Sequence, residues 1–305
     1  MKAALVIMAA GLGSRYGGSK QVDGIGPNGE ILMEYSIHDA LRAGFTKVVF
    51  ILKPEMEEMV RGLVGDRLAA CKTAGGEPVD VRYAFQDFTS IPDFYHIPQG
   101  RTKPFGTVHA LLCAAEAVDE PFCVINADDY YGVDAYQTMY DELVRMPKDK
   151  YAAMVGYLLK NTASLHGTVS RGVCWVEGRK LTSIKEALKI QLYPDGRLVD
   201  LDKGEPFSPD TIVSMNFWGF APSIFPALRR YFEDFLREKA GEDPKAECLL
   251  PLMVGHALEQ KELTVSVLQS TAKWFGMTYQ EDRPIVAEEL RKLHAEGVYP
   301  QSLRG

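Results

Sequence analysis

Two adjacent carboxylates, Asp128 and Asp129, are the residues whose surroundings best suit chemistry. They come shortly after an apolar run, CVIN, at residues 123–126. Such a run is typical of a buried strand, and ligands of open α/β sheets bind where the strands end. Carboxylate oxygens are ligands that Mg²⁺ prefers in proteins. The pair therefore predicts a magnesium site at a sheet edge, with a plain polar turn as the alternative.

A glycine-rich basic stretch at residues 9–21, AAGLGSRYGGSKQ, is the second candidate site. Glycines let backbone N–H groups approach phosphate oxygens closely, because no Cβ intrudes. Arg15 can bind a pyrophosphate through its planar fork, and Lys20 adds a compact positive charge. The stretch therefore predicts a polyphosphate-binding loop, and a solvated turn is the alternative.

Two better-known phosphate loops do not fit this stretch. A dinucleotide-binding fingerprint requires a third glycine where the chain has Tyr16, and an acidic residue at the end of the second strand. That strand ends instead in Leu52-Lys53. A P-loop requires lysine before serine or threonine, and the chain has Ser19-Lys20. Both motifs fail at a defining position.

The glycines, the arginine and the following Ser19-Lys20-Gln21 together resemble the signature of the nucleotidyltransferase superfamily. The closest resemblance is to its sugar-1-phosphate nucleotidylyltransferases, the NDP-sugar pyrophosphorylases, which usually have proline where this chain has Ser19. By this resemblance the nucleotide-binding residues are Ala10, Gly11, Gly13 and Ser14, and the catalytic residues are Arg15 and Lys20.

Later stretches resemble the nucleotide and metal elements of the same family. FGTVHA resembles the helix start that brackets the base, here through Gly106 and Thr107, and Gln99 stands close to the place of a base-reading glutamine. CVINADDYYG resembles the element whose aspartate, here Asp128, ligates and positions the metal. The resemblance implies a second metal ligand on a later strand, and Asn216 in VSMNFWGF takes that place. The structural alternative for FGTVHA is a simple N-capped helix, and for Asn216 it is an amide bonded to neighbouring backbone.

The second half of the chain resembles the sugar-phosphate elements of the family. HGTV places Gly167 where a glycine backbone meets sugar hydroxyls, and SIKEALKI places Glu186 at the sugar-binding glutamate. The usual lysine is displaced here, so either Lys185 or Lys189 would hold the sugar phosphate, and Lys189 is favoured. KWFG places Lys273 within reach of the phosphates, and an exposed strand lysine is the alternative.

The implied reaction converts a nucleoside triphosphate and a sugar 1-phosphate to an NDP-sugar and pyrophosphate, with Mg²⁺ assisting in-line attack on the α-phosphate. The attacking phosphate is already anionic, so alignment and charge neutralisation suffice without a strong general base. UTP is favoured and dTTP is next. The alternatives are a CTP-dependent cytidylyltransferase acting on a sugar or polyol phosphate, a metal-dependent glycosyltransferase, and an inactive regulatory relative.

Alternating strands and helices must position these residues. The first half shows strand patterns at residues 3–10, 47–52, 79–85 and 122–126, with helical patterns at 32–43, 55–64 and 107–118. This order predicts a Rossmann-like, doubly wound, mostly parallel (mixed) sheet with helices on both faces. The resemblance implies the same α/β fold, of the GT-A-like nucleotidyltransferase type.

The second half is richer in strands. Strands are predicted at residues 151–159, 168–176, 180–184, 211–220 and 263–268, helices at 223–239, 247–259 and 282–296, and an insertion or lid loop around 194–204. We expect one domain over residues 1–305. Its nucleotide-binding half covers about 1–132, its sugar-phosphate half about 133–280, and its C-terminal helix about 281–305.

Composition limits the partners. The chain has 305 residues and a formal net charge of −7, so its surface repels nucleic acid and anionic membranes, and phosphates need local basic groups. Its five scattered cysteines form no Cys-x-x-Cys pair, which favours a reducing, cytoplasmic location over a zinc site or disulfides. No run approaches the ~18 apolar residues of a membrane span. The family resemblance also allows a homo-oligomer.

Overall fold

The computed structural model describes residues 2–11, 24–238, 243, 245–270, 272–276 and 279–304. The strands are β1 (Ala4–Met8), β2 (Lys47–Leu52), β3 (Asp80–Phe85), β4 (Phe122–Asn126), β5 (Asp129–Tyr130), β6 (Tyr151–Leu158), β7 (Val169–Glu177), β8 (Lys180–Leu192), β9 (Leu198–Asp200), β10 (Glu205–Phe207), β11 (Ile212–Phe220), β12 (Thr264–Gln269) and β13 (Phe275–Gly276). The helices are α1 (Leu32–Ala43), α2 (Glu57–Val60), α3 (Asp66–Ala70), α4 (Thr107–Cys113), α5 (Val133–Leu143), α6 (Phe225–Glu238), α7 (Leu250–Glu259) and α8 (Arg283–Ala295).

Within the described residues, eleven strands form one mixed sheet in the order β10-β9-β8-β12-β6-β11-β4-β1-β2-β3, and β7 pairs with both β8 and β11. Strands β3, β2, β1 and β4 are parallel neighbours. Strand β11 is antiparallel to β4 and β6. The predicted fold class, a doubly wound mixed α/β sheet, is confirmed; four strands of the first half are parallel neighbours, and β12 is parallel to β6 in the second half.

Strand β1 is apolar throughout because helices cover both faces of the sheet. Leu5 and Ile7 pack into one core with residues of α1 and α5. Ala4 and Val6 pack into a second core with residues of α4, α6 and α7. All four side chains are fully buried, and burying one of the larger ones stabilises the fold by about 1.5–3 kcal/mol. This two-sided burial fixes the strand at the centre of the sheet.

The parallel strands end side by side. Met8 of β1 is in register with Ile51 of β2 and with Asn126 of β4. Just beyond the strand ends, Gln86 N donates to Leu52 O at 2.7 Å. The residues that follow these four strands therefore share one edge of the sheet, where open α/β sheets bind ligands.

Helix α5 is absent from the sequence prediction, although its pattern is present. Ala135, Tyr136, Met139 and Leu143 are buried on one face of this helix, at the spacing of an amphipathic helix. The helix is therefore predictable from its periodicity.

The predicted lid loop is wrong in its local structure. Strand β8 continues to Leu192 instead of ending at residue 184, and β9 and β10 follow it as antiparallel neighbours. Buried residues on the ribbon, such as Ile190 and Leu198, are separated by exposed polar ones. The exposed face gives the segment its loop-like composition.

Helix boundaries also differ from the predictions. The segment predicted as one helix at residues 55–64 is a 3-10 turn, the short helix α2 and a π-helical turn over Arg61–Gly65. Residues 247–249 are outside any helix, with Leu249 extended, and α7 begins at Leu250 with Pro251 in its first turn, where proline is tolerated. In the described part of the chain, no helix has both the length and the apolar character needed to cross a membrane.

The C-terminal residues pack on the first half of the chain. Leu290 and Tyr299 join Tyr35 of α1 and Tyr130 of β5 in a third buried cluster. The Tyr299 hydroxyl donates to Asp39 Oδ2 at 2.7 Å and lies 2.8 Å from the Tyr130 hydroxyl. The C-terminal segment thus contacts the chain directly beside the Asp128-Asp129 turn.

Candidate functional site

A cavity of about 550 Å³ lies at the edge where the parallel strands end. That size suits a nucleotide or a similar ligand. The predicted site residues among its lining are Ala10, Gly11, Gly106, Thr107 and Asp128. Its other lining residues are Met8, Ile51, Lys53, Gln86, Thr102, Lys103, Pro104, Ala110, Asn126, Ala127 and Glu247.

The four remaining residues predicted in the glycine-rich stretch, Gly13, Ser14, Arg15 and Lys20, lie outside the described residues. The stretch begins at the cavity, because Gly11 lines it. The roles of these four residues stay predictions.

A glutamine does line the cavity, but it is Gln86 and not Gln99. Gln86 directly follows β3, is 7% exposed, and its Nε2 donates to Gly106 O at 3.0 Å. Gln99 lies on an exposed turn outside this lining. The geometry therefore favours Gln86 as the amide that faces a base, with its carbonyl oxygen as an available acceptor.

Gly106 is required by its backbone and its surroundings. Its φ is +90°, a conformation that L side chains rarely adopt. A Cβ added there would lie 2.7 Å from the Cys248 carbonyl oxygen. The glycine thus lets the start of α4 approach the chain before α7 and places its own carbonyl at the cavity.

Thr107 does not cap its own helix as the sequence predicts. Gly106 occupies the N-cap position of α4, without a side-chain hydrogen bond. The Thr107 hydroxyl accepts a hydrogen bond of 2.8 Å from Leu250 N, which satisfies an unpaired donor at the start of α7. Thr107 therefore links two helices at the cavity wall.

The two carboxylates of the acidic turn have different environments. Asp128 is half-buried and lines the cavity. Asp129 is 7% exposed, and its Oδ2 accepts a hydrogen bond of 2.9 Å from Asn126 Nδ2. The Tyr131 hydroxyl lies 3.2 Å from the same oxygen and 2.9 Å from Met215 O. Asp129 thus fastens the turn to β4, the Tyr131 hydroxyl fastens it to β11, and Asp128 lies at the cavity.

Asn216 lies at an irregularity in β11. The register between β11 and β6 shifts between Ser214 and Trp218, and Asn216 has a φ of +61°. Asparagine tolerates this left-handed conformation better than most residues, and bulges often re-aim side chains beside active sites. Its Oδ1 accepts a hydrogen bond of 3.4 Å from Trp218 Nε1. The amide therefore has a protein partner without a metal, and its role as a ligand stays a prediction.

The oxygen donors near this turn fit a magnesium ion. Asp128 supplies a carboxylate at the cavity, whereas Asn216 is not part of the cavity lining. The Tyr131 hydroxyl, which contacts both Asp129 and the carbonyl of Met215, links the turn to the residue before Asn216. Within the described residues there is no group of three or more His, Cys, Asp or Glu side chains that could hold a metal. Mg²⁺ usually takes only one or two carboxylates from a protein and completes its shell with water and substrate phosphates. The donor set suits Mg²⁺ in that way.

Gly167, one of the predicted sugar-phosphate residues, directly follows a residue that lines a second cavity. Gly167 packs against Tyr279, whose hydroxyl donates to Thr168 O at 2.5 Å. The preceding residue, His166, lines a second cavity of about 260 Å³, together with Trp274. A glycine is needed at position 167 because a Cβ would overlap the tyrosine ring.

The charged residues predicted for the sugar phosphate all have protein partners. Glu186 accepts a hydrogen bond of 2.6 Å from the Ser170 hydroxyl. Lys189 is 60% exposed and pairs with Asp202 at 2.9 Å. Lys273 is 68% exposed and pairs with Glu289 at 3.4 Å. Lys185 lies 5.9 Å from the ring centroid of Trp175. These contacts favour neither Lys185 nor Lys189 as the phosphate ligand.

His109 is a packing residue. It is 1% exposed, stacks on Phe232 with ring centroids 5.3 Å apart, and contacts the Ser90 hydroxyl through Nε2 at 3.0 Å. Burial lowers the pKa of His109 to about 4. The ring is therefore neutral at pH 7 and belongs to the core behind the cavity wall.

Comparisons with known proteins agree with the fold. The nucleotidyl transferase family model matches residues 4–275. No curated protein sequence matches the chain significantly. Among solved structures, UDP-glucose pyrophosphorylase complexed with UDP-glucose shares 15% identity and a TM-score of 0.58, over 96% of this chain and 99% of that one.

Two further structures have similar folds. The inositol-1-phosphate CTP transferase from T. maritima shares 12% identity and a TM-score of 0.57, over 95% of this chain and 96% of that one. A protein from Bacillus anthracis assigned as a glucose-1-phosphate thymidylyltransferase, in complex with sucrose, shares 16% identity and a TM-score of 0.60, over 99% of this chain and 98% of that one. At such low identities these likenesses establish only the fold. The family model establishes the family, because it matches most of the sequence. The chain belongs to the nucleotidyl transferase family.

Proposed function

We propose that this enzyme joins a nucleoside triphosphate to a sugar 1-phosphate, giving an NDP-sugar and pyrophosphate. UTP is the favoured nucleotide and dTTP is next. The cavity at the parallel edge carries the proposal, because Gly11, Gly106, Thr107 and Asp128 line it together. A cytoplasmic location belongs to the same proposal.

The nucleoside occupies the end of the cavity near Gln86 and Gly106. There the Gln86 amide oxygen faces the base, while its Nε2 is held by the Gly106 carbonyl. The triphosphate extends past Gly11 toward the acidic turn. Arg15 and Lys20 neutralise its charge, and Arg15 binds the departing pyrophosphate. Positively charged groups are needed here because the whole chain carries a net charge of −7.

The protein's work in this reaction is alignment. The sugar phosphate enters from the side of Gly167 and Glu186, and its anionic oxygen attacks the α-phosphorus opposite the pyrophosphate. Asp128 and Asn216 would hold Mg²⁺, which neutralises charge on the phosphates when it is bound. Asp129 keeps Asp128 in place through the hydrogen bonds that fasten the turn. No residue needs to remove a proton from the attacking phosphate.

Pyrophosphate release tests the proposal. Purified protein is assayed with Mg²⁺ against a panel of UTP, dTTP, CTP, ATP and GTP with several sugar 1-phosphates and inositol 1-phosphate. We expect release only when both substrates are present. Transfer of sugar from an NDP-sugar without pyrophosphate chemistry would contradict the proposal.

Variants test the assigned residues. Asp128→Ala and Lys20→Ala should each lower kcat/KM by about 10²-fold or more, the scale of losing a group that stabilises transition-state charge. Asp210→Ala is the matched control, because Asp210 is 70% exposed and pairs only with a surface lysine at 2.6 Å among the described residues. Thermal unfolding checks that each variant is folded. Near-normal rates in a folded Asp128→Ala or Lys20→Ala variant would contradict its role.

A further inference from the structure

The cavity at the parallel edge contains a cation that the proposed function does not use. Lys53 directly follows β2, is half-buried and lines the cavity. Lys103, another lysine of the lining, pairs with Glu247 at 2.7 Å. Among the residues that the structure describes, the Lys53 ammonium has neither an ion pair nor a hydrogen bond. A half-buried ammonium in a concave site is a donor group available to a ligand.

The sheet order fixes where Lys53 lies along a bound nucleotide. Strand β2 lies between β3, which ends before Gln86, and β1, which ends before Gly11. Neighbouring strands are about 4.8 Å apart. Lys53 is therefore one strand spacing from the glutamine at the base end, one from β1, which leads to Gly11, and two from β4, which leads to Asp128. Under the proposed function, this position lies between the base and the triphosphate, beside the nucleoside.

We propose that Lys53 determines nucleotide specificity by donating a hydrogen bond to a neutral oxygen of the nucleoside, either a pyrimidine carbonyl or a ribose hydroxyl. The inference rests on the proposed function, because it assumes a nucleotide in this cavity. An ammonium can only donate. It therefore favours a ligand with an acceptor at this point and disfavours one that presents an amino group there, which would leave two donors facing each other.

Lys53→Met tests the proposal, because methionine keeps much of the side-chain length and removes the donor. The matched control is Lys160→Met, an exposed lysine outside the cavity lining that pairs with Asp210. Steady-state kinetics use the nucleotide with the fastest turnover, and calorimetry measures the Kd of UTP and of inorganic tripolyphosphate with Mg²⁺. We expect Lys53→Met to raise KM and the UTP Kd by about tenfold or more. We expect kcat to stay within about twofold, and the tripolyphosphate Kd to be unchanged.

Modified nucleotides identify the oxygen. If Lys53 contacts the ribose 2′-hydroxyl, the wild type binds dUTP more weakly than UTP and Lys53→Met loses that difference. If it contacts the base, 2-thio-UTP or 4-thio-UTP shows the same pattern, because sulfur is the weaker acceptor. An equal loss of tripolyphosphate binding would make Lys53 a phosphate contact and overturn the proposal, as would an unchanged UTP Kd. Failure of the proposed function is separate: the wild type would then release no pyrophosphate, whatever the effect on UTP binding.

Discussion

The contact between Tyr299 and Asp39 gives the sharpest prediction about stability. Asp39 is 1% exposed. Its Oδ2 accepts a hydrogen bond of 2.7 Å from the Tyr299 hydroxyl, and its Oδ1 lies 3.4 Å from His38 Nδ1. Burial raises the pKa of the Asp39 carboxyl above its ordinary value, against the opposing effect of these partners. Tyr299→Phe removes one partner and leaves the rest of the ring.

The expected loss follows from the charge of the acceptor. A hydrogen bond to an ionised group contributes about 1.5–3 kcal/mol to the free energy of unfolding, and one between neutral groups about 1 kcal/mol. Tyr299→Phe should therefore destabilise the protein by about 1.5–3 kcal/mol at pH 8. For a chain of this length that corresponds to a fall in Tm of about 2–5 °C.

The pH dependence has a definite sign. Because the folded pKa of Asp39 is raised, the folded state keeps this proton to higher pH than the unfolded state does. The carboxyl therefore costs stability as the pH rises through its folded pKa. Tyr299→Phe removes a donor to the ionised form and raises that pKa further. The loss caused by the substitution should shrink as the pH falls from 8 to 5, because a larger fraction of the carboxyl is then protonated.

Thermal and urea unfolding at both pH values measure these quantities. Tyr193→Phe is the control, because its ring is partly exposed and lies beside the Arg197 guanidinium. It should change stability by less than about 0.5 kcal/mol. Asp39→Asn completes a double-mutant cycle and should remove most of the pH dependence. A loss below about 0.5 kcal/mol at pH 8 that is the same at pH 5 would refute the reasoning.

Two other substitutions test the roles of Asn216 and Gly106. Asn216→Gly should keep the fold, because glycine adopts a φ of +61° freely. If the amide binds the metal, this variant should lower kcat by about tenfold or more. Asn216→Ala also removes the amide but adds backbone strain of about 1 kcal/mol, so an unfolding assay separates the loss of the amide from the strain. Equal activity of wild type and Asn216→Gly at limiting Mg²⁺ would remove Asn216 from the metal site. Gly106→Ala should destabilise the protein by about 1–3 kcal/mol and raise the nucleotide KM, because its Cβ meets the Cys248 carbonyl at 2.7 Å. A variant with unchanged Tm and KM would show that the two segments separate easily.

The parallel half of the sheet was predictable because its signals are local. A continuous apolar run such as that of β1 identifies a strand buried on both faces. Parallel order then places the strand ends at one edge. Gly11 and Asp128 could be assigned to that edge because each follows such a run, and both line the cavity. Local pattern and sheet order are enough for this part of the site.

The features of the site that local sequence patterns do not show depend on contacts between distant parts of the chain. Gln86 and Gly106 are 20 positions apart in the sequence, and no local pattern predicts the hydrogen bond between them. Gln99 is nearer to Gly106 in the sequence, whereas Gln86 is the glutamine that contacts Gly106 in the fold. Asn216 is similar, because its left-handed backbone arises from a register shift between β11 and β6.

The C-terminal segment shows how far the site depends on distant parts of the chain. The family match ends at residue 275, so α8 and the residues after it lie beyond it. Yet Arg283 Nη2 donates to Gly24 O at 2.9 Å, and Arg304 pairs with Glu34 at 2.8 Å. Gly24 is the first described residue after the glycine-rich stretch, so the C-terminal segment contacts the chain shortly after the predicted polyphosphate loop. We expect substitutions in α8 that remove the contact at Gly24 to weaken polyphosphate binding by the predicted loop, and to leave the Gln86–Gly106 end of the cavity unchanged.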